Sequence, residues 1–314
     1  MKISIIIPVF NEEGNLEILN NRINAVIKSA ELDCEVIFID DGSIDGSAAA
    51  LEQICKENKH VKVITLAGNY GQTQAIAAGV DNAAGEFIIT LDADLQNDPV
   101  DIPNIIAKLD EGYDVVSGWR VKRKDNLFTK KIPSYLANRL SVLITNVRLH
   151  DLGCTLKGYR KTVLEKIEFY GEIHRFLPIC AAMYGAKITE IPVEHHPRTN
   201  GKSKYGFSRG FKAFLDILAI IFLWKFITKP IYAFGGIGLF SLAISALIGV
   251  FIVARKLLLG GLWVSPLLFL FVIFSLMGIQ FILMGILAEL VIRLCYGVEG
   301  KKRYRVKEIR DNGC

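Results

Sequence analysis

The chain has 314 residues, about half of them apolar, and its 37 Lys and Arg against 32 Asp and Glu leave a net charge of +5. So modest a surplus, with no groove-reading module and no aromatic-basic RNA motif, argues against a nucleic-acid partner. The six cysteines (34, 55, 154, 180, 295 and 314) show no CxxC pairing of the zinc type and are expected to be reduced and structural.

The first element is ISIIIPVF (3–10), an apolar run that reads as a strand and not as a cleavable signal peptide. Four similar runs follow: EVIFID (35–40), VKVITL (61–66), EFIITL (86–91) and DVVSG (114–118). Helical patterns fill the gaps, over roughly 14–30, 45–58, 72–84 and 100–111. Continuous apolar character suits strands covered on both faces, and strand–helix alternation predicts a parallel sheet with right-handed crossovers. Ligands of such sheets bind beyond the carboxyl ends of the strands. Polar residues stand at those ends: Asn11, Glu12 and Glu13, then Asp40 and Asp41, then Asn69 to Gln72, then Asp92 to Gln96. One acid after a strand is ordinarily a helix cap, and Ser43 or Asp45 can serve as one. Four strand ends in register mark a site.

From 119 to 206 the pattern is less regular. WRVKRKDNLFTKKIPS and RTNGKSKYG (198–206) are basic, turn-rich loops, with further strands and helices expected over 151–160 and 174–193. Phe207 to Thr228 is apolar with Arg209, Lys212, Asp216 and Lys225 interspersed. It reads as amphipathic helices on a membrane surface, or as a docking helix of the soluble domain. Ile231–Ala254 and Leu262–Ala288 carry no charge, and each exceeds the roughly 20 residues that cross a bilayer. The alternative is a pair of buried core helices, but little sequence remains to surround them. Lys225 and Lys229 precede the first span. Arg293, Lys301, Lys302, Arg303, Arg305, Lys307 and Arg310 follow the second, against Arg255 and Lys256 between the two. This bias predicts both termini in the cytoplasm of a multi-pass protein of the cell membrane, with anionic lipid headgroups as partners. The expected division is a soluble domain over 1–206, interface helices over 207–229, a transmembrane hairpin over 230–293 and a basic cytoplasmic tail over 294–314.

In ITLDADLQND (89–98), Asp92, Asp94 and Gln96 come at alternate positions after a strand. Residues two apart share a face, so their oxygens can converge. A hard divalent cation, Mg²⁺ or Mn²⁺, would relieve their repulsion and keep positions open for a diphosphate. Asp40 and Asp41 sit where a dinucleotide fold places its ribose-binding acid. However, PVFNEEGN contains no G-x-G-x-x-G, and the chain has no Walker A sequence. A nucleotide whose diphosphate is held by metal remains, with Asp40 on the base and Asp41 or Glu12 nearby. His195 and His196 follow a strand-like ITEIPVE and read as structural, since no metal-ligand partner is visible near them in the sequence.

IPVFNEEGNL, IDDGSIDGS, NYGQTQAIAAGV and ITLDADLQNDP resemble the nucleotide-sugar domain of family 2 glycosyltransferases. With DLGCTLKGYR, RTNGKSKYG and the two spans, nearly the whole chain is similar to the polyprenyl-phosphate glycosyltransferases of that family. The resemblance implies an α/β fold of the GT-A type: a Rossmann-like, mostly parallel sheet domain followed by amphipathic interface helices and two transmembrane helices. It implies inverting transfer of one sugar from a nucleoside-diphosphate sugar to polyprenyl (undecaprenyl) phosphate, with a UDP-sugar, and glucose first among sugars, as donor. Asp92, Asp94 and Gln96 would hold metal and diphosphate. Pro8, Phe10, Glu12, Asp40, Asp41 and Asp92 would line the nucleotide-sugar pocket. Arg120, Lys130, Arg198 and Lys204, with the Ser134 hydroxyl, would meet the acceptor phosphate. Lys130 stands where the family often has arginine and lacks the bidentate fork, and Lys204 could instead touch the membrane surface. Asp151 would join Asp94 as a catalytic group, orienting a sugar hydroxyl or the nucleophile, unless it only forms a turn. Relatives of this kind form homo-tetramers. A processive polysaccharide synthase would need a Q-x-x-R-W segment, which is absent. A non-catalytic nucleotide sensor would be expected to lose the DxD, which is intact.

Overall fold

The computed structural model describes residues 2–121, 149–169, 171, 173–196, 230–259, 266–296 and 306–311. They fall into two compact units, one carrying a sheet and the other two apolar helices. The expected interface helices (207–229) lie outside the described residues.

In the first unit, β1 (Ile3–Val9), β2 (Cys34–Asp40), β3 (Val61–Leu66), β4 (Phe87–Thr90), β5 (Val115–Trp119), β6 (Lys157–Arg160), β7 (Ile188–Pro192) and β8 (Val306–Asp311) form one sheet. Its order is β7-β5-β6-β4-β1-β2-β3-β8. Between the first five strands run α1 (Glu13–Ser29), α2 (Ser47–Glu57), α3 (Gln72–Asn82) and α4 (Ile102–Asp110). Shorter helices α5 (Lys161–Leu164) and α6 (Leu177–Met183) follow β6. Every residue of β2 is buried, and so is all of β1 but Pro8, as the unbroken apolar runs predict for strands packed on both faces.

Strands β4, β1, β2 and β3 are parallel neighbours, and β5 and β7 are parallel to each other. β6 runs antiparallel between β4 and β5, so β5 again points its carboxyl end to the same edge as β1–β4. The sheet is therefore mixed, with β1–β5 and β7 ending on one common rim. On the far edge β8 pairs antiparallel with β3, from Leu66↔Val306 to Lys62↔Asp311. Arg310 of β8 ion-pairs with Glu52 of α2 at 2.7 Å. The basic tail expected over 294–314 thus carries a strand. VKEIRD is too charged to read as a core strand, but charges are what an edge strand tolerates.

Helix α4 buries Ile102, Ile105, Ile106 and Leu109 and rests on β6 where Gly158 presents bare backbone. A Cβ there would collide with Ile105 and stand 3.1 Å from Leu109 and 3.2 Å from Ile89.

The second unit is a pair, α7 (Pro230–Leu259) and α8 (Pro266–Tyr296). Their apolar windows run 28 and 25 residues and lie mostly exposed, as in bilayer-spanning helices and not core helices. The helices touch backbone to backbone at Gly238 and Gly278, where a Cβ on Gly238 would sit 2.7 Å from the Gly278 carbonyl oxygen. Beside this contact Ser241 donates to the Phe274 carbonyl at 2.7 Å and Ser245 to that of Phe271 at 2.9 Å. Small residues and hydroxyl donors are the usual adhesives where water exclusion cannot drive packing.

Gly158→Ala should overfill the α4–β6 contact and cost about 1–3 kcal/mol. A lowered unfolding midpoint of the detergent-solubilised protein would show it; an unchanged midpoint would mean that α4 can retreat freely.

Candidate active site

The rim where β1, β2, β3, β4 and β5 end is built by loops that hold one another. After β1, Asn11 adopts a left-handed backbone (φ 56°). Its amide donates to Ser43 Oγ at 3.0 Å, and its side-chain oxygen accepts from Ile44 N at 2.9 Å. Glu12 N donates to Ser47 Oγ at 3.0 Å, and Glu13 accepts from Gly46 N at 3.1 Å. The first turns of α1 and α2 therefore cap each other across the crevice. Asp45 accepts from Ser47 N at 3.0 Å, but the residue at the cap of α2 is Gly46, so neither Ser43 nor Asp45 is its N-cap.

Asp40 is buried, and its Oδ1 accepts from Ser43 N at 2.9 Å. Asp41 is buried too, with its oxygens on the amides of Tyr70 (2.7 Å) and Gly71 (2.9 Å). Burial raises the Asp41 carboxyl above its ordinary range, against the two amide bonds that lower it. Its role in this geometry is to hold the loop that leads to Gln72. Gln72 then donates its amide to Asp92 Oδ1 at 2.6 Å. Pro8 and Phe10 lie half-buried beside this rim, and Glu12 accepts from Asn15 Nδ2 at 2.6 Å.

β4 ends at Thr90, so the acidic motif is a turn and not a continued strand. Burial nevertheless alternates through it. Leu91, Ala93, Leu95 and Asn97 are buried, while Asp92, Asp94, Gln96 and Asp98 are partly exposed on the crevice side. Leu95 turns the chain with φ 60°, a strained value for leucine. Asp94 accepts from Gln96 N at 3.2 Å, and the Gln96 carbonyl accepts from His196 N at 2.8 Å. Behind the turn Asn97 donates to Thr155 Oγ1 at 2.8 Å. Burial first, then the charge of Asp94, pushes the Asp92 carboxyl up to about 7; Thr155, Lys157 and Arg120 pull it the other way. Two carboxylates that resist joint ionisation, with Gln96 two residues on, are oxygen donors of the kind Mg²⁺ or Mn²⁺ takes.

At the end of β5 the Arg120 guanidinium forms a two-pronged bond with Asp151, 2.6 Å from Nε and 2.9 Å from Nη2, with both side chains largely buried. Asp151 also accepts from Gly153 N at 3.0 Å. Arg120 and Asp151, read separately from sequence, are thus one unit. Lys130, Ser134, Arg198 and Lys204 lie outside the described residues.

Two participants were not singled out from sequence: Lys157, whose charge acts on Asp92 and Asp151, and Glu190 against the backbone of His150 and Asp151. The signal available for Lys157 was a lone cation in the strand-like TLKGY. Burial lowers its ammonium to about 8. His196, expected to be merely structural, hydrogen-bonds Asp98 at 3.0 Å. With Glu194 these make a group of three side chains, among the described residues, that could hold a metal ion.

Comparisons with known proteins identify the family and the fold. The Glycosyl transferase family 2 model matches residues 4–168. The dodecaprenyl-phosphate galacturonate synthase of Rhizobium johnstonii is 39% identical over 317 residues, covering 99% of this chain and 94% of its own. The undecaprenyl-phosphate 4-deoxy-4-formamido-L-arabinose transferase of an Enterobacter species is 36% identical over 315 residues, with the same coverage. Among solved structures, glucosyl-3-phosphoglycerate synthase from Mycobacterium tuberculosis, in complex with Mn²⁺, UDP and glucosyl-3-phosphoglycerate, superposes with a TM-score of 0.53 at 17% identity. It covers 69% of this chain and 80% of its own. That likeness is one of fold, and the fold is GT-A.

Because the folded Asp92 holds its proton more tightly than an unfolded aspartate of pKa ~3.9, its contribution to stability is present at low pH. It is lost as pH rises towards about 7. Asp92→Asn should therefore raise the melting midpoint in metal-free buffer at about pH 8, with the gain shrinking towards about pH 4. A gain that is constant with pH would assign it to packing.

Proposed function

Since this chain belongs to glycosyltransferase family 2, we propose that it transfers one sugar from a nucleoside-diphosphate sugar to a polyprenyl phosphate at the cytoplasmic face of the membrane. One observation carries the acceptor reading. Similarity to two relatives named for polyprenyl-phosphate acceptors runs over 99% of the chain, through both apolar helices. The likeness to glucosyl-3-phosphoglycerate synthase covers 69% of the chain.

The rim supplies the parts such a reaction needs. Asp40, Pro8, Phe10 and Glu12 line the nucleotide side, with Asp41 fixing the loop that delivers Gln72 to Asp92. Asp92, Asp94 and Gln96 would hold a divalent cation, Mg²⁺ or Mn²⁺, which when bound offsets negative charge on the departing diphosphate. Arg120, oriented by Asp151, meets the acceptor phosphate, together with Lys130, Ser134, Arg198 and Lys204. A phosphate monoester oxygen is already anionic at neutral pH, so attack needs positioning more than a strong base. Entry of that oxygen opposite the leaving diphosphate inverts the anomeric centre. Asp151 therefore contributes by holding the cation that holds the nucleophile.

The donor is a UDP-sugar in this reading. Glucose heads the panel to be tried, beside galacturonate and the formamido-arabinose for which the relatives are named. Two spans with cytoplasmic termini, lipid headgroups at the basic segments and a homo-tetrameric assembly complete the proposal.

The test uses purified protein in detergent, undecaprenyl phosphate, Mn²⁺ or Mg²⁺ and a panel of radiolabelled UDP- and GDP-sugars. Label from one donor should enter the organic phase only with metal. No transfer from any donor, alongside measurable nucleotide binding, would count against the reaction. Asp94→Ala should cut metal-dependent turnover roughly 100-fold or more while leaving the protein folded. Near-normal activity would remove Asp94 from the metal site. Arg120→Ala should raise the KM for lipid phosphate roughly 10- to 100-fold, the worth of a charged hydrogen bond, and leave the donor KM nearly unchanged.

A further inference from the structure

Lys157 opens β6 and is 2% exposed. It is held between Thr90 of β4 and Ser117 of β5 by sheet pairing on both sides. Burying an ammonium is costly unless its protons are matched. Here Nζ donates to the Leu152 carbonyl at 3.1 Å and the Arg175 carbonyl at 3.2 Å. Among the described residues no carboxylate makes an ion pair with it. A charge spent on two carbonyls is more than loop-tying needs, because a neutral amide could make the same bonds.

What distinguishes the position is where Leu152 lies. It follows Asp151, whose carboxylate grips Arg120 at 2.6 and 2.9 Å. On the other side Glu190 of β7 takes the amides of His150 at 2.8 Å and Asp151 at 3.3 Å. Segment 150–152 is therefore clamped at both polar ends, a carboxylate on its N–H groups and an ammonium on its carbonyl. Charge-assisted bonds of this kind are about twice as strong as neutral ones, and both come from strands of the sheet.

We propose that Lys157 is a positioning residue for the acceptor phosphate. With Glu190 it fixes segment 150–152, so that Asp151 presents the Arg120 guanidinium in one orientation. The inference rests on the reading of Arg120 as an acceptor-phosphate cation. It adds that the orientation of Arg120, and not its charge alone, sets acceptor affinity. Lys157 would then act through Arg120 and leave donor binding alone, even though Asp92 is also close enough to feel its charge.

The test measures KM for undecaprenyl phosphate and for the donor separately, on the full-length protein in detergent. The variants are Lys157→Met, Lys157→Arg, Glu190→Gln, Arg120→Ala and the double variant Lys157→Met/Arg120→Ala. Lys157→Met should raise the acceptor KM about tenfold with the donor KM within about twofold, Lys157→Arg should restore most of it, and the double variant should be no worse than Arg120→Ala. Additive effects in the double variant, or a change confined to the donor KM, would overturn the proposal. Should Lys157→Met not fold, Glu190→Gln carries the test: it should raise the acceptor KM about threefold, and an unchanged value in a folded protein would equally overturn it. If Arg120→Ala itself leaves the acceptor KM unchanged, the acceptor reading of Arg120 falls and this inference with it. An Arg120 effect with Lys157 and Glu190 silent defeats the inference alone.

Discussion

Carboxylates crowd one rim of this sheet, and each must be answered by a donor or a cation because water reaches few of them. Asp40 has the Ser43 amide, Asp41 the Tyr70 and Gly71 amides, and Asp151 the Arg120 fork. Asp92 accepts from the Gln72 amide at 2.6 Å and is eased by Thr155, with a second carboxylate two residues on. Asp41 and Asp151 are each held by two donor groups from within the protein and so serve architecture. Asp92 and Asp94 instead face each other's charge, and Asp92 holds its proton more tightly for it.

The satisfied acids also explain how distant segments reach the site in register. Asp41 follows β2, yet it fixes the loop after β3, which in turn carries Gln72 to the end of β4. Arg120 at the end of β5 and Asp151 before β6 are tied in the same manner. Each link spans two strand ends, so the rim behaves as a chain of short bonds supported by a buried sheet. The strained Leu95 is tolerable in such a frame because the residues on both sides are anchored, Asp94 to Gln96 and Asn97 to Thr155.

Much of this was legible in the sequence. The five apolar runs, the helices between them and the two long uncharged segments correspond to β1–β5, α1–α4, α7 and α8, because periodicity and burial determine those elements locally. The alternation of Asp92, Asp94 and Gln96 survives as alternating exposure, although a turn produces it and not the strand geometry from which it was inferred. The reversal of β6 was not legible, since direction depends on the path of the connecting chain and not on KGYR itself. Nor was the pairing of Arg120 with Asp151, 31 residues apart. Lys157 was missed for a related reason: a lysine in a short pattern gives no sign that its ammonium will be buried against carbonyls of two other loops. Charged side chains acquire their meaning from long-range partners, whereas apolar ones acquire theirs from spacing.

Strand β8 has a consequence for how the molecule is made. β7 and β8 are the two outermost strands of the sheet, and both apolar helices lie between them in the chain. A ribosome delivers β1 to β7 first, then the two helices, and only then VKEIRD. Throughout that interval β3 is an open edge, able to pair with any extended strand that arrives. The catalytic sheet is therefore completed last, after the hydrophobic hairpin has left the ribosome. Synthesis of the hairpin, and whatever engages it during translation, sets the time at which the soluble part of the protein can close its edge.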